Sequence, residues 1–193
     1  IFVAEVASTF NEALLIDYML KRITDDQVKL SLLGNYLEGI KGTVFRQTQF
    51  AEFELRIHDM SEKGESLTGD GLNTLYSEIT KKYYGHEKGV CIVDDEIKVE
   101  WAYIPHFYYN FYVYQYATSF TASAALSEQV MAGDKVATKL YLEFLSAGGS
   151  DYPINLLKKA GVDMTTSTPF ELTMKKMNRV MDDIEKILDR MKK

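Results

Sequence analysis

The chain has 193 residues, of which 46% are hydrophobic and 26% charged, and a formal net charge of -6. A surface of that sign offers no broad patch for neutralising phosphates, which argues against nucleic acid as a partner. The single cysteine, Cys91, excludes an internal disulfide framework and fits a reducing, cytoplasmic setting. No stretch is long and apolar enough to cross a membrane; the nearest, residues 13–20, is interrupted by Asp17.

Apolar residues recur at helical spacing through nearly the whole chain, which predicts an all-α fold of one domain with no internal repeat. The first helix is expected over residues 2–22, with Thr24, Asp25 and Asp26 capping the next. A long second helix then runs over 25–60 and carries Gly34, Gly39 and Gly42, a pattern that predicts close helix packing or a kink. A loop over 61–71 leads into a third helix that ends at Gly85 in the manner of a C-cap. VCIVDDEIKVEW is the only β-like stretch and predicts at most one short hairpin near 90–100. Helical pattern resumes over 108–132, restarts at Gly133-Asp134 and runs to about Ser146. A short helix follows from Pro153 to Gly161, and the last begins at Ser167-Thr168-Pro169.

Two stretches carry side chains suited to chemistry. On the first helix Glu5 and Glu12 are seven apart, point nearly the same way, and have Ser8 and Thr9 beside them. The remainder of that helix is apolar, so a carboxylate there is either part of a narrow solvated face or needs a partner such as arginine, a metal or a shared proton. The second stretch is WAYIPHFYYNFYVYQYATSF, with six tyrosines between Tyr103 and Tyr116 around His106. If a helix starts at Pro105, Tyr109, Tyr112 and Tyr116 share a face with His106 on its edge. Phenols and an imidazole so placed can donate hydrogen bonds to a developing oxyanion, or they can simply pack.

A self-sufficient catalytic centre is missing from the sequence. His86-Glu87 is not followed by a second histidine at HExxH spacing, no Glu-x-x-His pair occurs, and Cys91 has no Cys partner for a zinc site. No G-x-S-x-G or glycine-rich phosphate loop is present.

FVAEVASTFNE (residues 2–12) resembles the segment that follows the HExxH helix in the oligoendopeptidase F family and, more distantly, in thimet oligopeptidase. The resemblance continues through FRQTQFAEFE, IPHFYYNFYVYQYAT and AGGSDYPINLLKKAGVDM in the expected order. It implies the C-terminal part of the helical catalytic domain of a zinc-dependent oligoendopeptidase, lacking the motif that supplies two histidine ligands and the general base. Glu5 falls at the position of the third zinc ligand, with Glu12 or Ser8 orienting it. His106, Tyr109 and Tyr112 fall where the family contacts substrate and the tetrahedral oxyanion, with Tyr103, Tyr114 and Tyr116 as alternatives. FRQTQFAEFE is expected to pack and to support the site through Arg46 and Glu52. Short peptides are the implied substrates, Zn2+ the implied cofactor, and the N-terminal remainder of the enzyme the implied partner. This chain alone is expected to be inactive. A metal-free helical binding module of the same descent is the alternative.

Overall fold

The computed structural model describes residues 2–192. Eight α-helices run in chain order among them: α1 (Val6–Leu20), α2 (Asp26–Ile40), α3 (Arg46–Glu62), α4 (Gly69–Tyr84), α5 (Tyr114–Met131), α6 (Lys135–Ala147), α7 (Pro153–Lys159) and α8 (Thr168–Met191). The all-α expectation holds, and no strand occurs among the described residues. The chain divides into two compact units, one of Ile1–Val44 with Thr118–Lys193, the other of Phe45–Ala117.

The first unit is built on the apolar face of α1. Val6, Phe10 and Ala13 recur at helical spacing and are buried, the first two in one core with Ala122, Leu126, Tyr141, Leu157 and Val162. The Phe10 and Tyr141 rings stack with centroids 3.7 Å apart. Local chemistry sets the helix starts. Asp25 Oδ1 accepts from the Gln27 and Val28 N–H groups, and Asp134 Oδ1 from those of Val136 and Ala137. Glu128 on α5 pairs with Lys176 and Arg179 on α8, and Arg190 of α8 reaches Asp26 at the start of α2, 2.8 Å away.

The second unit packs α3 against α4 around Phe50, Phe53, Tyr76, Ile79, Ile104 and Val113. Phe53 is wholly buried, its ring edge-on to Tyr76 at 5.2 Å and tilted against Phe107 at 5.3 Å. Arg46 pairs with Glu100, which also accepts from the Tyr76 hydroxyl, and the guanidinium lies 4.7 Å over the Phe50 ring.

The hairpin near 90–100 is not formed: residues 90–94 are irregular, and Asp95–Tyr103 is a 3-10 helix. The backbone there is satisfied locally, with Val90 N–H bonded to the Gly85 carbonyl and Val93 N–H to His86 Nδ1. A helical period also lets Ile97 and Trp101 face the core together, and Trp101 Nε1 donates to Asn73 Oδ1 at 2.8 Å. The long helix expected over 25–60 is present, helical throughout residues 26–62, as α2, a π-helical turn at Lys41–Phe45, and α3. A Cβ built at Gly34, Gly39 or Gly42 would meet no atom within 4 Å, so these glycines do not mark close helix contacts; Gly42 lies in the π turn. At Gly85 the expected C-cap is present, with φ +65°, where any side chain is strained.

Phe53→Ala should lower the unfolding free energy by about 3–5 kcal/mol, because neighbours on three sides cannot all close the space. Asp134→Ala, which removes only a cap, should cost about 1 kcal/mol. Urea unfolding of both variants checks the ratio; equal losses would mean that Phe53 is not a core anchor.

Candidate functional site

In the first unit, Glu5 sits immediately before α1, at the end of a turn over residues 2–5. The helix buries the Val6–Phe10–Ala13 side and leaves both Glu5 and Glu12 exposed, so the expected acidic stripe is a solvated face of this chain. Glu5 is nevertheless held. Ser8 Oγ donates to Glu5 Oε2 at 2.8 Å, and Thr9 Oγ1 donates to the Glu5 carbonyl at 2.6 Å. Glu12 lies two helical turns on and borders a cavity of about 350 Å³ that Tyr36, Glu38 and Phe120 also line.

An exposed carboxylate oriented through one of its oxygens suits a zinc ligand, since zinc accepts single carboxylate oxygens. Further ligands are needed, and among the described residues no group of three or more His, Cys, Asp or Glu could hold a metal. Glu5 therefore fits as one donor of a set that this chain does not complete by itself.

In the second unit, the tyrosine segment departs from the single helix expected of it. Pro105–Tyr108 is a 3-10 turn, Tyr109 leaves it with φ -107°, and Asn110 and Phe111 have φ of 42° and 56° before α5 begins at Tyr114. Asparagine tolerates left-handed backbone better than most residues, but phenylalanine does not, and such positions cost about 1–3 kcal/mol each. The broken path still gathers the rings. Around His106 stand Tyr109, Tyr112 and Tyr116, with centroids 6.3, 5.6 and 6.0 Å away. The Tyr112 ring lies 6.1 Å from Tyr109 and 5.6 Å from Tyr116, and the Tyr116 hydroxyl is 3.5 Å from His106 Nε2. Tyr103 points into solvent, 87% exposed, and Tyr114 is an exposed residue of the first turn of α5.

The turn is closed from α3. Glu54, 1% exposed, accepts the Phe111 N–H on Oε1 at 2.7 Å, and the His58 ring lies 4.4 Å from the Phe111 ring. Reading FRQTQFAEFE as support around Arg46 and Glu52 misses this residue. Glu52 instead meets the Lys82 amine at 3.0 Å. The signal for Glu54 was present: Phe50, Phe53, Glu54 and Ile57 follow the i, i+3, i+4, i+7 spacing of a buried face, with a carboxylate inside it.

A helical chain with these segments belongs to a definable class. Residues 1–176 match the profile described as Peptidase family M3, and the chain belongs to that family. It is 50% identical over its whole length to oligopeptidase PepF of Bacillus subtilis, of which it spans 28%. To group B oligopeptidase PepB of Streptococcus agalactiae it is 46% identical, covering 97% of this chain and 31% of that protein. The crystal structure of oligoendopeptidase-F from Enterococcus faecium superposes with a TM-score of 0.91 at 46% identity, over 98% of this chain and 36% of that one. The chain thus spans less than two-fifths of each relative's length.

Burial pushes the Glu54 carboxyl above its ordinary value of 4.5, opposed by the Phe111 N–H and by His58. The folded chain keeps this proton to higher pH than the unfolded chain, so ionising Glu54 weakens folding as pH rises from 4.5 through the raised value. Glu54→Gln removes that ionisation. Its unfolding free energy should fall less steeply than the parent's as pH increases above 4.5, in urea titrations at a series of pH values. Parallel slopes would mean that the folded carboxyl titrates as it does in the unfolded chain.

Proposed function

We propose that this chain forms part of the catalytic domain of a zinc-dependent oligoendopeptidase that cleaves internal bonds of short peptides. The observation that carries the reading is the exposed Glu5 carboxylate, oriented by Ser8, in a chain of Peptidase family M3. The names of its relatives, oligopeptidase and oligoendopeptidase, support the substrate class. An exposed free thiol at Cys91 is consistent with work in a reducing cytoplasm.

Zinc, when bound, supplies a Lewis acid that polarises a scissile carbonyl and lowers the pKa of water. Glu5 would give one carboxylate oxygen to the ion, while the Ser8 hydroxyl restrains the other oxygen and limits how the ligand swings. Glu12, exposed two turns along the helix, adds negative charge on the same face. The remaining ligands and a general base would have to come from outside this chain, which spans 28% of oligopeptidase PepF.

In the second unit, His106 and the hydroxyls of Tyr109 and Tyr112 are donors on one ring cluster. Their role is to bind the substrate backbone and to donate hydrogen bonds to the oxyanion as a peptide carbonyl becomes tetrahedral. A donor of this kind acts mainly in the transition state, because charge on the oxygen develops there. Tyr116 packs edge-on against both Tyr112 and His106 and steadies the two rings.

Three results follow in the intact enzyme. Glu5→Gln should strip zinc and abolish peptidase activity, whereas Ser8→Ala should weaken zinc affinity by about 10–100-fold. Tyr112→Phe should lower kcat on the order of 100-fold with a smaller rise in KM. Zinc content by atomic absorption and cleavage of an internally quenched peptide measure these effects. Full zinc occupancy in Glu5→Gln would remove Glu5 from the ligand set, and unchanged turnover in Tyr112→Phe would reduce that ring to packing. This chain alone should cleave nothing; cleavage by the purified chain would contradict the assignment of its missing ligands, and a parent enzyme without zinc would favour the metal-free binding module.

A further inference from the structure

The tyrosine cluster depends on a segment whose own burial does not fix it. Ile104 and Phe107 pack in the core of the second unit on one side, and Val113, 1% exposed, packs on the other. Between them Tyr108, Tyr109, Asn110 and Phe111 are all exposed. Exposed residues with few apolar contacts open readily, and left-handed backbone at Asn110 and Phe111 adds a further push toward other conformations. Something must hold the turn.

We propose that Glu54 is a positioning residue, whose buried carboxyl holds the Phe111 N–H and fixes the turn that sets Tyr109 and Tyr112 about the His106 ring. The inference rests on the reading above that this cluster meets the substrate. The geometry is direct. Glu54 Oε1 lies 2.7 Å from the Phe111 nitrogen, and the N–H it accepts belongs to the second of the two left-handed residues. One turn further along α3, His58 covers the Phe111 ring, so the same helix grips the backbone and the side chain. That helix is itself anchored by Phe50 and Phe53, which makes it a rigid support for a precise placement. The Phe111 carbonyl accepts from Gln115 Nε2 at 3.3 Å, which ties the turn to the first turn of α5. Tyr109 and Tyr112 flank the two left-handed residues in sequence, so rotation of this turn moves both hydroxyls relative to His106.

The test uses the intact zinc enzyme and an internally quenched short peptide, with Tyr112→Phe measured beside the new variants. Glu54→Ala should lower kcat at least about tenfold and change KM less than about threefold, because the lost placement acts on the transition state. Zinc content should stay at the parent value. Glu54→Gln keeps an oxygen acceptor for the Phe111 N–H and should recover kcat to within about threefold of the parent. Asn110→Val leaves Glu54 in place but forbids the left-handed turn from its exposed side, and should repeat the kcat loss; parental kcat in Asn110→Val overturns the proposal whether or not Glu54→Ala folds. A folded Glu54→Ala enzyme with parental kcat, while Tyr112→Phe is impaired, overturns the positioning role and leaves the cluster's role standing. A Glu54→Ala enzyme that has lost zinc also overturns it, since the damage is then general. Parental kcat in Tyr112→Phe instead removes the reading on which the inference rests.

Discussion

A carboxylate inside an apolar helix face and a phenylalanine forced into left-handed backbone are each unfavourable alone. In this protein they are partners. Glu54 is carried into the core of the second unit by Phe50 and Phe53, and there it finds the Phe111 N–H. Leaving that acceptor unpaired would cost several kcal/mol, a penalty comparable with the strain it holds in place. The consequence reaches beyond the two residues. A continuous helix from Pro105 would space His106, Tyr109, Tyr112 and Tyr116 along a rod, whereas the broken path wraps three phenols around one imidazole.

The first unit solves a different problem. A metal ligand, the role proposed for Glu5, must be reachable and yet not wander, and the two faces of α1 suit both demands. Val6, Phe10 and Ala13 fix the helix in the core, while Glu5 and Glu12 stay at the surface. Ser8, three residues from Glu5, adds a local restraint that needs no tertiary contact. Each unit thus places polar groups at its surface by burying the residues that flank them in sequence.

Helical period, caps and the C-terminal glycine at Gly85 were legible in the chain because each is a local rule. Asp25 and Asp134 cap as their residue types predict. The hairpin failed because β-branched residues near 90–100 mark apolar content rather than strand; burial against α4 favours helical spacing for Ile97 and Trp101. The long helix over 25–60 was readable as helical but not in its π turn, which depends on one inserted residue that periodicity over a window averages away. In the site, Glu5 and the tyrosine run stood out as residue types in unusual company. The break at Asn110–Phe111 did not, because neither residue is a glycine and the bond that sustains it comes from Glu54, 57 positions away. A carboxylate among Phe50, Phe53 and Ile57 was the one clue.

The most direct test of the account is a crystal structure of the intact enzyme with zinc, with the ion located by anomalous scattering at its absorption edge. With Glu5 as a ligand, one of its carboxylate oxygens should lie about 2.0–2.2 Å from the zinc, with the second oxygen still bonded to Ser8. A zinc ion held without Glu5, or one whose nearest carboxylate is another residue, would contradict it.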